Sequence, residues 1–285
     1  MNRFQSEPLA LNKSQIETMS ETHRLQPGSK VDLSLLNTDG KRIHPDRQQA
    51  EAEFETLREE LVTLQNRWYA DGSRSLLVVF QAMDAGGKDG TIRRVFRGVN
   101  PQGVRVASFK APSKKELSHD FLWRIHQQVP AKGMIGIFNR SHYEDVLVVR
   151  VDEIVPKPVW KSRYQSINDF EKMLTESGTT IIKFYLHISK SEQKKRFQAR
   201  LDDATKQWKF ARHDLEKRNQ WDAYQEAYEE MLYRCSTEHA PWYIIPADQK
   251  WYRNLAISRV LVQTLRELNP QFPTPEDDLD KIDLD

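Results

Sequence analysis

Short, uninterrupted apolar runs recur along the chain and set its architecture. The first, residues 75–80 (SLLVVF), lies between Asp71-Gly72 and a glycine-rich turn, and residues 104–109, 134–138, 180–188 and 242–245 follow. The stretches between them are polar and long enough for crossover helices. Continuous rather than alternating strands joined by helices predict a parallel sheet covered on both faces, in a three-layer α/β/α fold. Residues 44–69 carry Pro45 near their start and Phe54, Leu57, Leu61 and Leu64 at three- and four-residue spacing. That spacing predicts an amphipathic helix on one face of the sheet. Residues 221–233, rich in aromatics, predict a helix that could form an interface between copies.

Residues 1–40 are rich in Ser, Thr, Asn and Asp, show no sustained period and read as an extended arm over the domain surface. Residues 41–268 form one domain, and residues 269–285 an acidic tail holding Pro273 and Pro275. With 38% hydrophobic and 10% aromatic residues, the chain has enough apolar surface to exclude a disordered protein. The single cysteine, Cys235, rules out an intramolecular disulfide and a Cys-built zinc site and fits the cytoplasm; on a predicted helix it reads as a core thiol. No stretch approaches the ~18 apolar residues of a membrane span. The start lacks the basic-then-apolar pattern of a secretory signal. A soluble, cytoplasmic protein with no membrane partner is expected.

The chemistry begins directly after the first apolar run, in QAMDAGGKDGTIRRV. A strand, a glycine turn and a helix opening near Gly90 make the context of a phosphate-binding P-loop, or Walker A loop. Successive backbone N–H groups wrap phosphate oxygens, and the helix amino terminus adds its dipole. Ala85, Gly86, Gly87, Asp89, Gly90, Thr91 and Arg93 are the candidate phosphate contacts, with Lys88 as the cation. The spacing departs from G-x-x-x-x-G-K-[ST]: Ala82 replaces the first glycine, Asp89 follows the lysine, and the hydroxyl moves to Thr91. A plain glycine-rich turn with a solvated lysine fits the spacing as well. Asp84 speaks against it, because a carboxylate repels phosphate unless a divalent metal such as Mg²⁺ lies between them.

The run at 134–138 ends in Asn139-Arg140-Ser141-His142-Tyr143-Glu144-Asp145, at the carboxyl end of a strand, where open α/β sheets place ligands. Asn139 occupies the position of a Walker B aspartate and is neutral, so Asp84 would carry more of the metal, with Glu144 or Asp145 as further ligands. Arg140 is a fork donor suited to phosphate, and Asn139, Tyr143 and Glu144 beside it are further candidate nucleotide or phosphate contacts. A polar loop with a structural Arg–Glu pair is the plainer reading. His142 has no second histidine or cysteine at ligand spacing and reads as a hydrogen-bonded loop histidine.

Charge then alters the picture. The whole chain carries only +2, yet residues 84–124 hold nine basic and four acidic side chains, and residues 190–218 ten and five. The tail from residue 271, with six acids and one lysine, masks them. Residues 190–218 read as a helix, a basic loop and a second helix, a lid that would close over phosphates. In it Arg196 and Arg200 share a helical face, and Lys206 and Lys209 sit in the loop. A solvated basic helix is the bland alternative, but Phe197, Trp208 and Phe210 interleave with the charges. Lys110 and Lys114 add cations beyond the loop, more than one triphosphate requires.

Taken in order, QAMDAGGKDGT, IFNRSHYEDVLV, KKRFQARLDDATKQWKF and APWYIIPADQKWYRN resemble the second polyphosphate kinase family, over roughly residues 40 to 268. The resemblance implies an α/β P-loop kinase fold with a parallel sheet and helical lid, similar to thymidylate kinases. It also implies Mg²⁺-dependent phosphoryl transfer, with Mn²⁺ as a substitute, between inorganic polyphosphate and nucleotides, and a homo-oligomer. Asp84 and Lys88 are similar to the family's loop carboxylate and lysine, Arg140 to its second-motif arginine, and Arg196 and Arg200 to lid arginines. Many members have Asp-Arg-Ser where this chain has Asn139-Arg140-Ser141. The form with Tyr143, Glu144 and Asp145 following resembles the subgroup that phosphorylates both AMP and ADP. Adenine nucleotides are the expected acceptors and guanine nucleotides candidates. An ATP-dependent nucleotide kinase is the competing enzyme. A non-catalytic polyanion or nucleic-acid binder is a third reading, opposed by the absence of a nucleic-acid module and by the carboxylates in the loop. No nucleic-acid partner is expected.

Overall fold

The computed structural model describes residues 23–275. The outer part of the expected arm and the acidic residues from Glu276 onward lie outside the described residues. Five strands, β1 (Ser75–Gln81), β2 (Val104–Ser108), β3 (Ile135–Asn139), β4 (Thr179–His187) and β5 (Trp242–Pro246), pair in parallel in the order β2-β3-β1-β4-β5. The major helices are α1 (Arg47–Asp71), α2 (Lys88–Val95), α3 (Lys157–Glu176), α4 (Lys190–Leu201), α5 (Arg212–Asn219), α6 (Trp221–Cys235) and α7 (Lys250–Leu268). α7 packs against α1, α2 and β5, while α3 packs against β4 and α6. This is the expected α/β/α order.

Each predicted strand falls within a residue or so of an observed one. β1 is central and all seven of its side chains are buried, which explains its unbroken apolar run. β2 departs from the expectation of cover on both faces. As the edge strand it pairs on one side only, and Arg105 and Val106 stand exposed. α1 is entered through Asp46, whose carboxylate accepts from the Gln49 amide, and ends at Gly72 in the left-handed region (φ 61°). Of the aromatics of α6, Trp221, Tyr224 and Tyr228 are buried in the fold's own core.

Residues 23–40 are a fixed part of the fold rather than a covering over it. Arg24 bridges Tyr243 in antiparallel fashion, Leu25 N donates to Trp242 O (2.8 Å) and Ile244 N to His23 O (2.8 Å), so the segment extends the sheet past β5. Leu33 is buried and its N–H donates to Glu229 (2.7 Å). The Thr38 hydroxyl donates to Asp248 (2.7 Å). Gly40 lies flat on Tyr252, where a Cβ would come within 2.3 Å of the ring.

One polar network crosses the core. Lys183, in the middle of β4 and fully buried, donates to Glu171 (2.5 Å), to the Tyr143 hydroxyl (2.7 Å) and to the Cys235 carbonyl (2.7 Å). Tyr143 in turn donates to Glu171 (2.7 Å), and His142 Nε2 lies 3.1 Å from the same carboxylate. The histidine is thus hydrogen-bonded, as expected for a loop residue without ligand partners. Cys235 is buried, and burial pushes its thiol up to about 12.

Candidate active site

The register of the sheet brings the two motifs together. β1 and β3 are neighbours with Phe80 opposite Asn139, so both chains leave the sheet at the same edge. Arg140, in the left-handed region at φ 61°, donates its N–H to Phe80 O (3.1 Å) and so tethers the second motif to the first. The intervening loop turns tightly. Gly86 N donates to Met83 O (2.9 Å), and Ala85 adopts φ 59°, unusual for a residue with a side chain. A Cβ on Gly86 would meet Ala82 Cβ at 2.5 Å. Gly87 caps α2 at φ 103° with no side-chain bond, leaving the first-turn amides for an incoming anion. A Cβ at Gly90 would meet nothing within 4 Å, so that glycine keeps the rim open rather than permitting the turn.

Charge converges on this loop. Arg140 bridges two carboxylates, Asp84 and Glu144 (3.2 Å to the latter), which together raise its basicity. Lys88 is almost fully buried and donates to Ala82 O (2.8 Å). Burial, and then the Arg140 cation, lower its ammonium to about 8, against the pull of Asp84, Glu144 and Asp89. Asn139 donates to Asp89 (2.5 Å), tying the Walker B position to the first turn of α2. Arg93 lies exposed in the second turn of α2, and Lys110 and Lys114 are exposed beyond β2.

Three sequence expectations need correction. Tyr143 does not face phosphate: it is fully buried and its hydroxyl is committed to Glu171 and Lys183, because the tight turn at 142–145 points it inward. Thr91 is fully buried too, since α2 already opens at Lys88 and places Thr91 one turn in, on the core side. Asp145 is bound to Arg163 of α3 (2.8 Å), with burial raising its carboxyl, so its carboxylate is engaged by α3 rather than left for a metal. Among the described residues no three His, Cys, Asp or Glu side chains form a metal cage.

The two basic windows meet, as a phosphate channel requires. Arg196 of α4 donates to Ala85 O (3.0 Å) and Gly86 O (2.9 Å) and to the carbonyls of Ala247 and Asp248, while pairing with Glu192 (2.9 Å). The lid arginine of the sequence reading is therefore a brace beneath the loop. Arg200 donates to Lys209 O (3.2 Å) and lies 3.7 Å from Asp214. Lys206 pairs with Asp203, and Lys209 sits over the exposed Trp208 ring.

Sequence reasoning overlooked Arg253. Its guanidinium is buried against the loop, 3.5 Å from Gly86 O, and burial and then Arg196 lower it to about 9. Two guanidiniums meet here, and the ion pairs among the described residues give a carboxylate only to Arg196. Such a charge excess suits a bound anion. The available signal was the block APWYIIPADQKWYRN, which includes Arg253 in the first turn of α7.

Gly87→Ala is expected to abolish this fit. The added Cβ would lie 2.1 Å from Arg253 Nη1 and force an alanine to φ 103°. A loss of about 2 kcal/mol in urea unfolding is expected, with a drop in activity larger than that loss explains. Lys88 also dictates a pH dependence. A phosphate anion favours its charged form, so binding takes up a proton once the solution exceeds the free value of about 8. Phosphate-substrate affinity should therefore hold below pH 8 and weaken as pH rises above it. Calorimetry in buffers of different ionisation enthalpy checks the proton uptake.

The comparisons with known proteins agree with one another. The family model described as polyphosphate kinase 2 (PPK2) matches residues 44–273. The chain is 55% identical over 261 residues to the AMP/ADP-polyphosphate phosphotransferase of Meiothermus ruber, covering 91% of this chain and 98% of that protein. It is 47% identical over 265 residues to the ADP-polyphosphate phosphotransferase of Rhodopseudomonas palustris, covering 88% and 91%. Among solved structures, that of Polyphosphate Kinase 2 from Arthrobacter aurescens TC1 superposes with a TM-score of 0.87 at 42% identity, covering 91% of this chain and 93% of that one.

Proposed function

Because the chain belongs to the polyphosphate kinase 2 family, we propose that it transfers phosphoryl groups from inorganic polyphosphate to AMP and ADP, forming ADP and ATP. The observation that carries this reading is the junction of Asp84, Lys88, Arg140 and Glu144 at a phosphate loop braced by the buried Arg253 and the part-buried Arg196. A relative at 55% identity carries both acceptors in its name, which supports the subgroup that takes AMP and ADP. An ATP-dependent nucleotide kinase is not favoured, since both relatives are named as polyphosphate phosphotransferases.

The residues suffice for this chemistry. The attacking oxygen of AMP or ADP is already an ionised phosphate, so no strong base is needed and catalysis is alignment with charge neutralisation. The first-turn amides after Gly87, together with Lys88, hold donor phosphates. Arg140 moves between its carboxylate partners and the transferring group, and Arg253 and Arg196 keep the loop positive from below.

Asp84 fits a Mg²⁺ site: its carboxylate opens on the loop mouth, and Mg²⁺ ordinarily uses one or two carboxylates with phosphate oxygens and waters rather than a protein cage. The Asp84 carboxylate would hold such a cation, which would supply charge neutralisation to the phosphates; Mn²⁺ would substitute. The reading extends to guanine acceptors, a homo-oligomer and a cytoplasmic location. No helix among the described residues is long and apolar enough to cross a membrane.

The test is an acceptor panel. Purified protein with Mg²⁺ and long-chain polyphosphate is incubated with AMP, ADP, GMP and GDP, and in parallel ATP replaces polyphosphate as donor. ATP formation from AMP and ADP with polyphosphate is expected. Transfer from ATP alone would overturn the reading.

A further inference from the structure

Gln193 is fully buried in α4, the first limb of the lid, where it reaches the phosphate loop. Its side-chain N–H donates to the Asp84 carbonyl at 2.9 Å, and its oxygen accepts from Arg218 at 2.9 Å. Arg218 belongs to α5, the second limb of the lid, and also donates to Lys190 O at 2.6 Å, where α4 begins. One amide therefore links the far limb of the lid to the peptide that carries Asp84. The next two loop carbonyls, of Ala85 and Gly86, are held by Arg196 from the same helix. Three successive carbonyls thus face α4, and Ala85 between them is kept at φ 59°. These three carbonyls are therefore held from α4, while the Gly86 amide bonds back to Met83 O.

We propose that Gln193 is a positioning residue that orients Asp84 and couples that orientation to the seating of α5. The inference rests on the proposed role of Asp84 toward a divalent cation. An amide is the side chain the geometry demands, because it accepts on one side and donates on the other. A carboxylate of the same shape still accepts from Arg218 but has no proton for the Asp84 carbonyl. Gln193→Glu consequently cuts one link of the relay and spares the other, while Arg218→Met cuts the other.

The experiment measures amide hydrogen exchange in peptides spanning residues 82–90 of the substrate-free protein, beside steady-state kinetics. Gln193→Glu is expected to speed exchange there about tenfold, the effect of one lost buried hydrogen bond. Exchange in α7 should be unchanged. It should lower kcat about tenfold and raise the Mg²⁺ needed for half-maximal rate, with the nucleotide KM within about twofold of wild type. Arg218→Met should speed exchange over 82–90 as well, to a smaller degree. Wild-type exchange in the loop of Gln193→Glu would overturn the proposal. If that variant does not fold, wild-type loop exchange in folded Arg218→Met does so instead. Failure of the wild-type protein to use polyphosphate would remove the functional reading and leave the exchange result standing.

Discussion

Lys88→Ala is expected to lower polyphosphate-driven ATP formation by about 10³, the order that clamp cations contribute to phosphoryl transfer. The melting temperature should not fall. Burial depresses the Lys88 ammonium to about 8, so the fold without ligand is already working against that charge. Removing the side chain therefore relieves the empty protein while depriving the donor phosphate of its closest fixed cation. Its hydrogen bond to Ala82 O is to a strand-end carbonyl beside the loop, which water can satisfy once the chain is shortened. Asp84→Asn should reduce the rate comparably, again with the fold intact, and should shift the Mg²⁺ requirement where Lys88→Ala does not. Near-normal turnover in Lys88→Ala would remove the loop from the mechanism. A parallel fall in melting temperature and rate would make it a structural residue.

Lys183→Met is expected to have the largest effect on stability, about 3–5 kcal/mol in urea unfolding. The residue is charged in the middle of a central strand, with no exposure, and it satisfies Glu171, Tyr143 and the Cys235 carbonyl at once. Methionine fills the space but leaves the Glu171 carboxylate buried without its cation. Because an unpaired buried carboxyl is more easily protonated, the deficit should shrink as the pH falls. Lys183→Met combined with Glu171→Leu should recover much of the loss, since replacing both partners by apolar groups avoids the orphaned charge. A single variant as stable as the double would show that the pair carries no such penalty. Activity should fall as well, because Tyr143 holds the turn that presents Arg140 and Glu144.

Much of this was legible in the chain, and the exceptions have physical causes. Strands and α1 are set by local periodicity, which is why 75–80 and 44–69 matched Ser75–Gln81 and Arg47–Asp71 closely. The loop and second motif are each short in sequence, so Asp84, Lys88, Arg140 and Glu144 could be named without knowing the fold. What brings them together is register, Phe80 beside Asn139, which no local pattern encodes. Tyr143 and Thr91 were misplaced because motif membership says nothing about which way a turn or a helix presents a side chain. Lys183 interrupts an apolar strand and carried no sign of its three partners, which lie 12, 40 and 52 residues away. Arg253 and Gln193 reach the loop across 167 and 109 residues, so only the assembled fold shows what they touch.

The contact between residues 23–40 and the far edge of the sheet sets an order for biosynthesis. His23 and Leu25 bond to Ile244 and Trp242, Leu33 to Glu229, Thr38 and Gly40 to Asp248 and Gln249. The partners lie 196 to 210 residues apart for Leu33, Thr38 and Gly40. Residues 23–40 must therefore remain without these neighbours until residues 229–249 have been made, after β1 to β4. During that interval β5 is also missing, and β4 presents an unpaired edge that invites another strand.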